Sequence, residues 1–428
     1  MKVAVYTLGC KVNTYESEYA IAKFKEKGYD IVDFDDKADI YLINTCTVTN
    51  TSDQKSRKMI RQARKKNENA VVAVMGCFSQ IRKNDNSIMD IVDVVIGNNN
   101  KSKIVDLIEE FIKTKNKIID LKNIDTEPFE DMDLKCLNTR TRALVKIQDG
   151  CENYCTYCII PYVRGKVRSK DPNKVVEEVK KLVNNGYKEI VLTGIHTGHY
   201  GDDLDTDFSD LLVQLDKIQG LERIRISSIE IVELNDKFLN VLKKSNKIVN
   251  HIHIPLQAGS NHILKLMNRR YDKKYYKDVI NKIRSIRPNI AITTDVIVGF
   301  PGETESDFTE TIEFVREINF AGGHVFPYSK REGTPASKMN NQLTKEEKHI
   351  RSKKLITVFN ELEDSYYESN VGKTLKVIPE TFENDYLIGH TDNYIKVKFK
   401  GCKELIGKLI DVKIDSIDKK IAMGSIVK

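Results

Sequence analysis

At 428 residues the chain is too long for one ordinary core, and length alone predicts two to three domains. Its 40% hydrophobic and 31% charged residues are those of a water-soluble globular protein, and no apolar run approaches the ~20 residues of a membrane span. The formal net charge of +7 permits nucleic-acid binding without demanding it. The opening Met1-Lys-Val-Ala-Val-Tyr-Thr-Leu-Gly-Cys10 has too short an apolar run, and no small-residue cleavage site, for a secretory signal. A reducing, cytoplasmic location is expected, where eight cysteines point to metal or redox chemistry before disulfides.

Residues 1–115 alternate strand and helix signals. Strands are expected over 3–8, 40–45, 71–75 and 92–96, with helices over 16–27, 52–66 (Ser52 as N-cap) and 103–111. That rhythm predicts a parallel sheet with helices on its faces, whose ligands sit beyond the carboxyl ends of the strands. A polar stretch over 116–138 reads as a linker. Over 139–369 the rhythm resumes on a longer period, with strands at 143–147, 190–193, 223–227, 251–255, 294–298 and 324–327. Helices fall at 172–184, 275–286 and 305–318, the last opened by a Thr304/Asp307 capping box, and a charged helix over 345–369 follows. Six βα units predict a partial barrel of the TIM type, with its active site where the strands end. The remainder, 370–428, alternates apolar and polar residues, with strand patterns at 375–378, 394–399 and 409–414, and reads as a small all-β barrel of the OB type. The fold class is therefore α/β with a C-terminal β module.

Six cysteines form two triplets. Cys151, Cys155 and Cys158 lie in one loop after the first barrel strand, whereas Cys10, Cys46 and Cys77 each close a short apolar run. Three thiolates can ligate three irons of a four-iron cluster and leave the fourth open for chemistry. Zinc is the plain alternative for the compact set, but only three cysteines lie close by and no His follows at finger spacing. Burial in a core is the plain alternative for each dispersed cysteine. Their shared position at strand ends, beside Gly, Asn or Thr, favours a second site. Cys136 in the linker and Cys402 in the terminal barrel read as ordinary packed or surface residues.

The spacing C-x3-C-x2-C after a barrel strand resembles the radical S-adenosylmethionine (SAM) superfamily. Tyr6-Thr-Leu-Gly-Cys-Lys-Val-Asn-Thr-Tyr-Glu-Ser17, Ile43-Asn-Thr-Cys-Thr-Val-Thr49 and Val74-Met-Gly-Cys-Phe-Ser-Gln80 resemble the N-terminal domain of the methylthiotransferases. The stretch Ile388-Gly-His-Thr-Asp-Asn-Tyr-Ile-Lys-Val397 is similar to their RNA-binding TRAM domain. Lys-Val-Asn after Cys10 and Thr193-Gly-Ile-His-Thr-Gly198 resemble the branch that modifies threonylcarbamoyladenosine in tRNA. Thr14, where Gln is expected, and Ala258, where Ser is expected, depart from the pattern.

The resemblance implies two 4Fe-4S clusters: a catalytic one on Cys151, Cys155 and Cys158, and an auxiliary one on Cys10, Cys46 and Cys77 that carries the sulfur. It also implies that one SAM methylates that sulfur while a second yields the radical that helps replace the adenine C2–H with a methylthio group. SAM contacts are expected at Tyr157, Gly194, Ser228, Glu230, Gln257, Gly299, Pro301, Gly302 and Glu303. The partners implied are the tRNA anticodon loop and a one-electron donor such as flavodoxin or ferredoxin, with a monomer in the cytoplasm and no membrane. Basic residues suited to RNA are Arg57, Arg61 and Arg64, a stripe on the 52–66 helix, and Lys396 and Lys398 beside Tyr394 and Phe399. Arg164 and Arg168 could meet a carboxylate or an RNA phosphate, or be solvated. The same chemistry on isopentenyladenosine or on a ribosomal-protein aspartate is the near alternative. A zinc-stabilised RNA-binding protein without catalysis is the distant one.

Overall fold

β-branched runs with no polar alternation make strands that are buried on both faces. Such runs dominate the first 120 residues of the computed structural model, which describes residues 1–82, 85–134 and 141–427. Strands β1 (Lys2–Thr7), β2 (Asp30–Val32), β3 (Ile40–Thr45), β4 (Val71–Gly76), β5 (Val94–Ile96) and β6 (Ile118–Asp120) form one sheet in the order β2-β1-β3-β4-β5-β6. Every pair in it is parallel. Helices Lys11–Glu26 and Ile104–Thr114 pack on one face through Ala20, Phe24, Ile104 and Ile108. Helix Asn50–Lys66 covers the other through Ile60 and Ala63.

The central region holds β7 (Arg142–Lys146), β8 (Gln148–Asp149), β9 (Arg168–Ser169), β10 (Glu189–Thr193), β11 (Arg223–Ile226), β12 (His251–His253), β13 (Ala291–Val298) and β14 (Gly322–Pro327). Two parallel three-stranded sheets, β7-β10-β11 and β12-β13-β14, curve into the expected partial barrel. A parallel bridge between Ile224 and Ile248 joins them. Strands β8 and β9 pair antiparallel and tie the two ends of the compact cysteine loop together. The expected capping box is present: the Thr304 side chain accepts from the Asp307 backbone N–H, and the Asp307 carboxylate accepts from that of Thr304.

After helix Lys345–Glu368, strands β15 (Thr374–Glu383), β16 (Tyr386–Thr391), β17 (Lys396–Lys400), β18 (Ile410–Asp418) and β19 (Ile421–Ile426) close into a barrel in the order β15-β16-β17-β19-β18. Val377, Leu387, Val397, Phe399, Val412 and Ile414 fill its own core. This small barrel sits against the starting ends of the central strands. Arg142 pairs with Glu380 at 3.2 Å, Arg223 donates to the Lys376 carbonyl at 2.5 Å, and Arg225 donates to the Thr391 carbonyl at 3.1 Å. Among the described residues no helix is long and apolar enough to cross a membrane.

Some boundaries differ from expectation. Strand β6 falls inside the stretch expected to be linker, and β2, β16 and β19 were not foreseen. The first helix starts at Lys11 rather than 16, and the second is capped by Thr49, whose side chain accepts from Ser52 N–H.

Candidate active site

Strands β1, β3 and β4 are neighbours, and their ends bring Cys10, Cys46 and Cys77 to one edge of the sheet. The turns that do this require glycine. At Gly9 (φ +105°) a Cβ would lie 3.2 Å from Cys46 Sγ, and at Gly76 (φ +104°) one would lie 2.6 Å from the Thr45 carbonyl oxygen. Asn13 binds the ends together, its amide donating to the carbonyls of Leu8 at 2.8 Å and Thr45 at 3.0 Å. Its carbonyl oxygen accepts from Arg164 at 2.8 Å, and Arg164 Nε donates to Cys77 Sγ at 3.3 Å.

Arg164 comes from the central region and is wholly buried, so neither the RNA-phosphate nor the solvated reading applies to it. It meets Asp149 at 2.9 Å and Glu16 at 3.4 Å. Glu16 also takes Lys101 at 2.5 Å and Lys146 at 3.0 Å, and Lys146 reaches Asp149 at 2.7 Å. Burial alone would push the Glu16 carboxyl up, but Lys101, Lys146 and Arg164 outweigh it and hold it at about 2. Burial lowers the Lys101 ammonium, which has Glu16 as its one ion-pair partner, whereas Lys146, between two carboxylates, ends up raised. Arg168 is buried too, donating to the Arg164 carbonyl at 2.7 Å. This network joins the N-terminal sheet to the barrel through paired charges.

In the compact loop, Thr156 fastens the chain: its hydroxyl donates to the Leu266 carbonyl at 2.9 Å, and its own carbonyl accepts from Ala336 N–H at 2.8 Å. Tyr154, between the first two cysteines, adopts a left-handed φ of +46°, a conformation that costs energy and must be held by its surroundings. Arg269 donates to Cys155 Sγ at 3.3 Å and is itself paired with Glu230. His196 Nδ1 lies 3.8 Å from Cys151 Sγ.

Both triplets suit a cluster better than a single ion. Tetrahedral zinc would draw its sulfurs to within about 3.8 Å of one another. Among the described residues only His196, His199 and Glu233 bring three such donors within 4.8 Å of one another, and neither cysteine triplet is that tight. Burial, with neighbouring thiols adding to it, pushes the thiols of Cys46 and Cys151 up to about 11 and that of Cys158 to about 12. Alone they are protonated at neutral pH, so loading a cluster releases protons. Cys402 is exposed and remote from both sets in sequence, and Cys136 lies outside the described residues.

A cavity of about 1090 Å³ runs from Cys10 and Lys11 past Gly194 and Ser228 to Tyr394 and Glu380 of the small barrel. Of the expected SAM contacts, Gly194 and Ser228 therefore open on the same space as Cys10. Tyr157 packs edge-on against Phe300 at 6.4 Å, beside Gly299 and Pro301. Gln257 holds a left-handed φ of +64°, and Gly302 one of +86°. Glu303 turns inward, accepting from Gly299 N–H at 2.7 Å and pairing with Arg351 at 2.5 Å, so it braces the turn. Glu230 is likewise taken by Arg269.

Of the basic stripe, Arg57 pairs with Asp85 and Arg64 with Asp93 at 2.7 Å, leaving Arg61 exposed. On β17, Lys396, Lys398 and Lys400 share one face while Val397 and Phe399 point into the core. Phe399 is thus no stacking surface, and Tyr394 stacks on His251 and His390. Lys398 lies over the Tyr386 ring at 4.6 Å.

A family model described as the Radical SAM superfamily matches residues 145–315, and one described as uncharacterized protein family UPF0004 matches residues 2–97. Over 420 residues the chain is 47% identical to the threonylcarbamoyladenosine tRNA methylthiotransferase MtaB of Bacillus subtilis (strain 168), covering 96% of this chain and 93% of that one. The chain belongs to the radical SAM tRNA methylthiotransferase family. A protein of the same name from Aquifex aeolicus (strain VF5) is 42% identical, covering 97% and 100%. The tRNA-2-methylthio-N(6)-dimethylallyladenosine synthase of Clostridium botulinum (strain Loch Maree / Type A3) is 38% identical, covering 96% and 93%. Among solved structures, the radical SAM methyltransferase TsrM of Kitasatospora setae, with cobalamin and a 4Fe-4S cluster bound, matches with a TM-score of 0.58. It covers 78% of this chain and 76% of that one at 12% identity, a likeness of fold alone.

Sequence reasoning left out Arg269, Asn13 and His196 as neighbours of the sulfurs. Asn13 stood inside a quoted motif and could have been found there. Arg269 reaches Cys155 from 114 residues away, and no spacing announces it.

Proposed function

We propose that this protein adds a methylthio group to C2 of the adenine in N6-threonylcarbamoyladenosine, beside the anticodon of tRNA. The observation that carries this reading is the cavity that joins Cys10 to Gly194 and Ser228, because a base entering it would lie beside the N-terminal triplet and two of the residues expected to receive SAM. The higher identity to the two MtaB proteins than to the dimethylallyladenosine synthase favours the threonylcarbamoyl branch.

Cys151, Cys155 and Cys158 would hold one 4Fe-4S cluster with an iron open to SAM, and Cys10, Cys46 and Cys77 would hold a second. When bound, these groups supply one-electron and sulfur chemistry at a C–H that is neither acidic nor attached to a leaving group. The chain's own residues position and enclose. Arg164 and Arg269 each donate to one sulfur, and a carboxylate pins each of them. Gly194, Ser228, Gln257, Tyr157, Gly299, Pro301 and Gly302 would receive SAM. Lys396 and Lys398, on the outer face of β17, would grip RNA phosphates with the salt dependence of such contacts. The enzyme would work in the cytoplasm as a monomer, drawing electrons from a carrier such as flavodoxin or ferredoxin.

The test is mass spectrometry of tRNA nucleosides from cells with and without the gene. Loss of 2-methylthio-N6-threonylcarbamoyladenosine, with the unthiolated nucleoside accumulating, is the expected result. Unchanged tRNA overturns the reading and turns attention to the ribosomal protein.

A further inference from the structure

The cavity carries one charge that no ion pair answers. Arg142 is paired with Glu380 at 3.2 Å and Arg225 with Glu189 at 2.7 Å. Asp295 takes His253 at 3.3 Å and His324 at 3.2 Å, and Glu363 takes Lys420. Of the described charged groups that line the space, Lys11 alone has neither an ion pair nor a hydrogen bond to its side chain, and the like charges of Arg142 and Arg225 act on it more strongly than the opposite charge of Asp295. It is also the first residue of the 16-residue helix Lys11–Glu26, so the positive end of that helix adds to its field.

A second polar atom is also unmet. His251, 6% exposed and lining the same cavity, spends Nε2 on the Thr293 hydroxyl at 2.9 Å and leaves Nδ1 without a partner. Burial, and after it the Arg225 charge, holds the His251 pKa well below the usual range, so the ring is neutral. The cavity thus offers one cation without an ion pair, beside a neutral imidazole whose unmet nitrogen is buried.

We propose that Lys11 is an anion subsite that receives the carboxylate of the substrate's threonylcarbamoyl group. This rests on the substrate reading above. A neutral, apolar isopentenyl group would leave the ammonium unanswered, so the subsite would also discriminate between the two tRNA substrates. Because Lys11 follows Cys10 directly, the substrate's side chain would be held one residue from the N-terminal triplet. An RNA phosphate is the other anion that a lysine could take, and the experiment separates the two.

Reconstituted enzyme is assayed, and its binding followed by fluorescence anisotropy, on anticodon stem–loops that carry threonylcarbamoyladenosine or its methyl ester. Wild type is expected to favour the acid. In Lys11→Met, the KM and the Kd for the acid are expected to rise about 10- to 100-fold, the usual worth of a hydrogen bond to a charged group, with little change on the ester. Lys11→Arg is expected to keep the preference. Equal weakening on acid and ester would assign Lys11 to a phosphate and overturn the proposal, as would no weakening on either. Should wild type methylthiolate neither RNA, the substrate reading itself falls, and the subsite with it.

Discussion

The two cysteine triplets reach similar surroundings by opposite routes. The compact one is local in sequence: eight residues, Cys151–Cys158, carry all three thiols, and Leu266, Arg269 and Ala336 fasten them from a distance. The dispersed one exists only because three neighbouring parallel strands end together, so it depends on the register of a whole sheet. Yet each receives one arginine on one sulfur at 3.3 Å, and a carboxylate holds each arginine. The difference lies in extent. Both side chains are buried, but Arg164 joins a charge network that crosses from sheet to barrel, whereas Arg269 pairs with Glu230 and donates to the Tyr271 hydroxyl. The set assembled from three strand ends is braced by the larger charge network.

Removing either set is the sharpest way to break the parallel. Replacing Cys151, Cys155 and Cys158 together with Ala should abolish SAM cleavage and leave about four irons per chain on the other set, by analysis of iron, sulfide and 5′-deoxyadenosine. The matching triple variant at Cys10, Cys46 and Cys77 should still cleave SAM and transfer no methylthio group. If the first variant still cleaves SAM, the roles of the two triplets are misassigned.

The arginines should separate next. Arg164→Met leaves Asp149 and Glu16 short of a buried partner and should cost about 3–5 kcal/mol in chemical denaturation. Arg164→Lys should not restore it, because an ammonium cannot serve Asp149, Asn13 and Cys77 at once. Arg269→Met, which strips one pair, one bond to sulfur and one to the Tyr271 hydroxyl, should cost less, about 1.5–3 kcal/mol. Equal losses would mean that the extent of the network does not matter.

Acid should expose the same contrast more gently. The Glu16 carboxyl sits at about 2 in the folded chain against an ordinary 4.5, so its contribution is present above pH 4.5 and is lost as the pH falls to about 2. That contribution is on the order of 3 kcal/mol. Denaturation of the cluster-free chain between pH 6 and pH 3 should show it, with a shallower slope in Glu16→Gln. Identical slopes would remove Glu16 from the account of acid sensitivity.

How much of this was legible depended on how local each signal was. The compact cysteines and the capping box at Thr304 could be read directly from spacing. The first helix was read as starting five residues late because its opening turns bury polar side chains, Asn13, Glu16, Ser17 and Glu18, and so show no apolar period. Strands β16 and β19 each carry a glycine, Gly389 and Gly424, that interrupts the alternation, and β2 and β6 are three-residue edges. Arg164 could not be resolved from sequence between a carboxylate and a phosphate, since its partners Glu16, Asn13 and Cys77 come from the N-terminal region, 87 or more residues away.

Tyr394 lies between His251 and His390, with the Arg225 guanidinium over its ring at 4.9 Å, at the point where the small barrel meets the starting ends of the central strands. A module expected to be a handle for RNA therefore also forms the floor of the cavity. Deleting it should leave the cavity draining at its base, with Arg142, Arg225 and His251 open to bulk water.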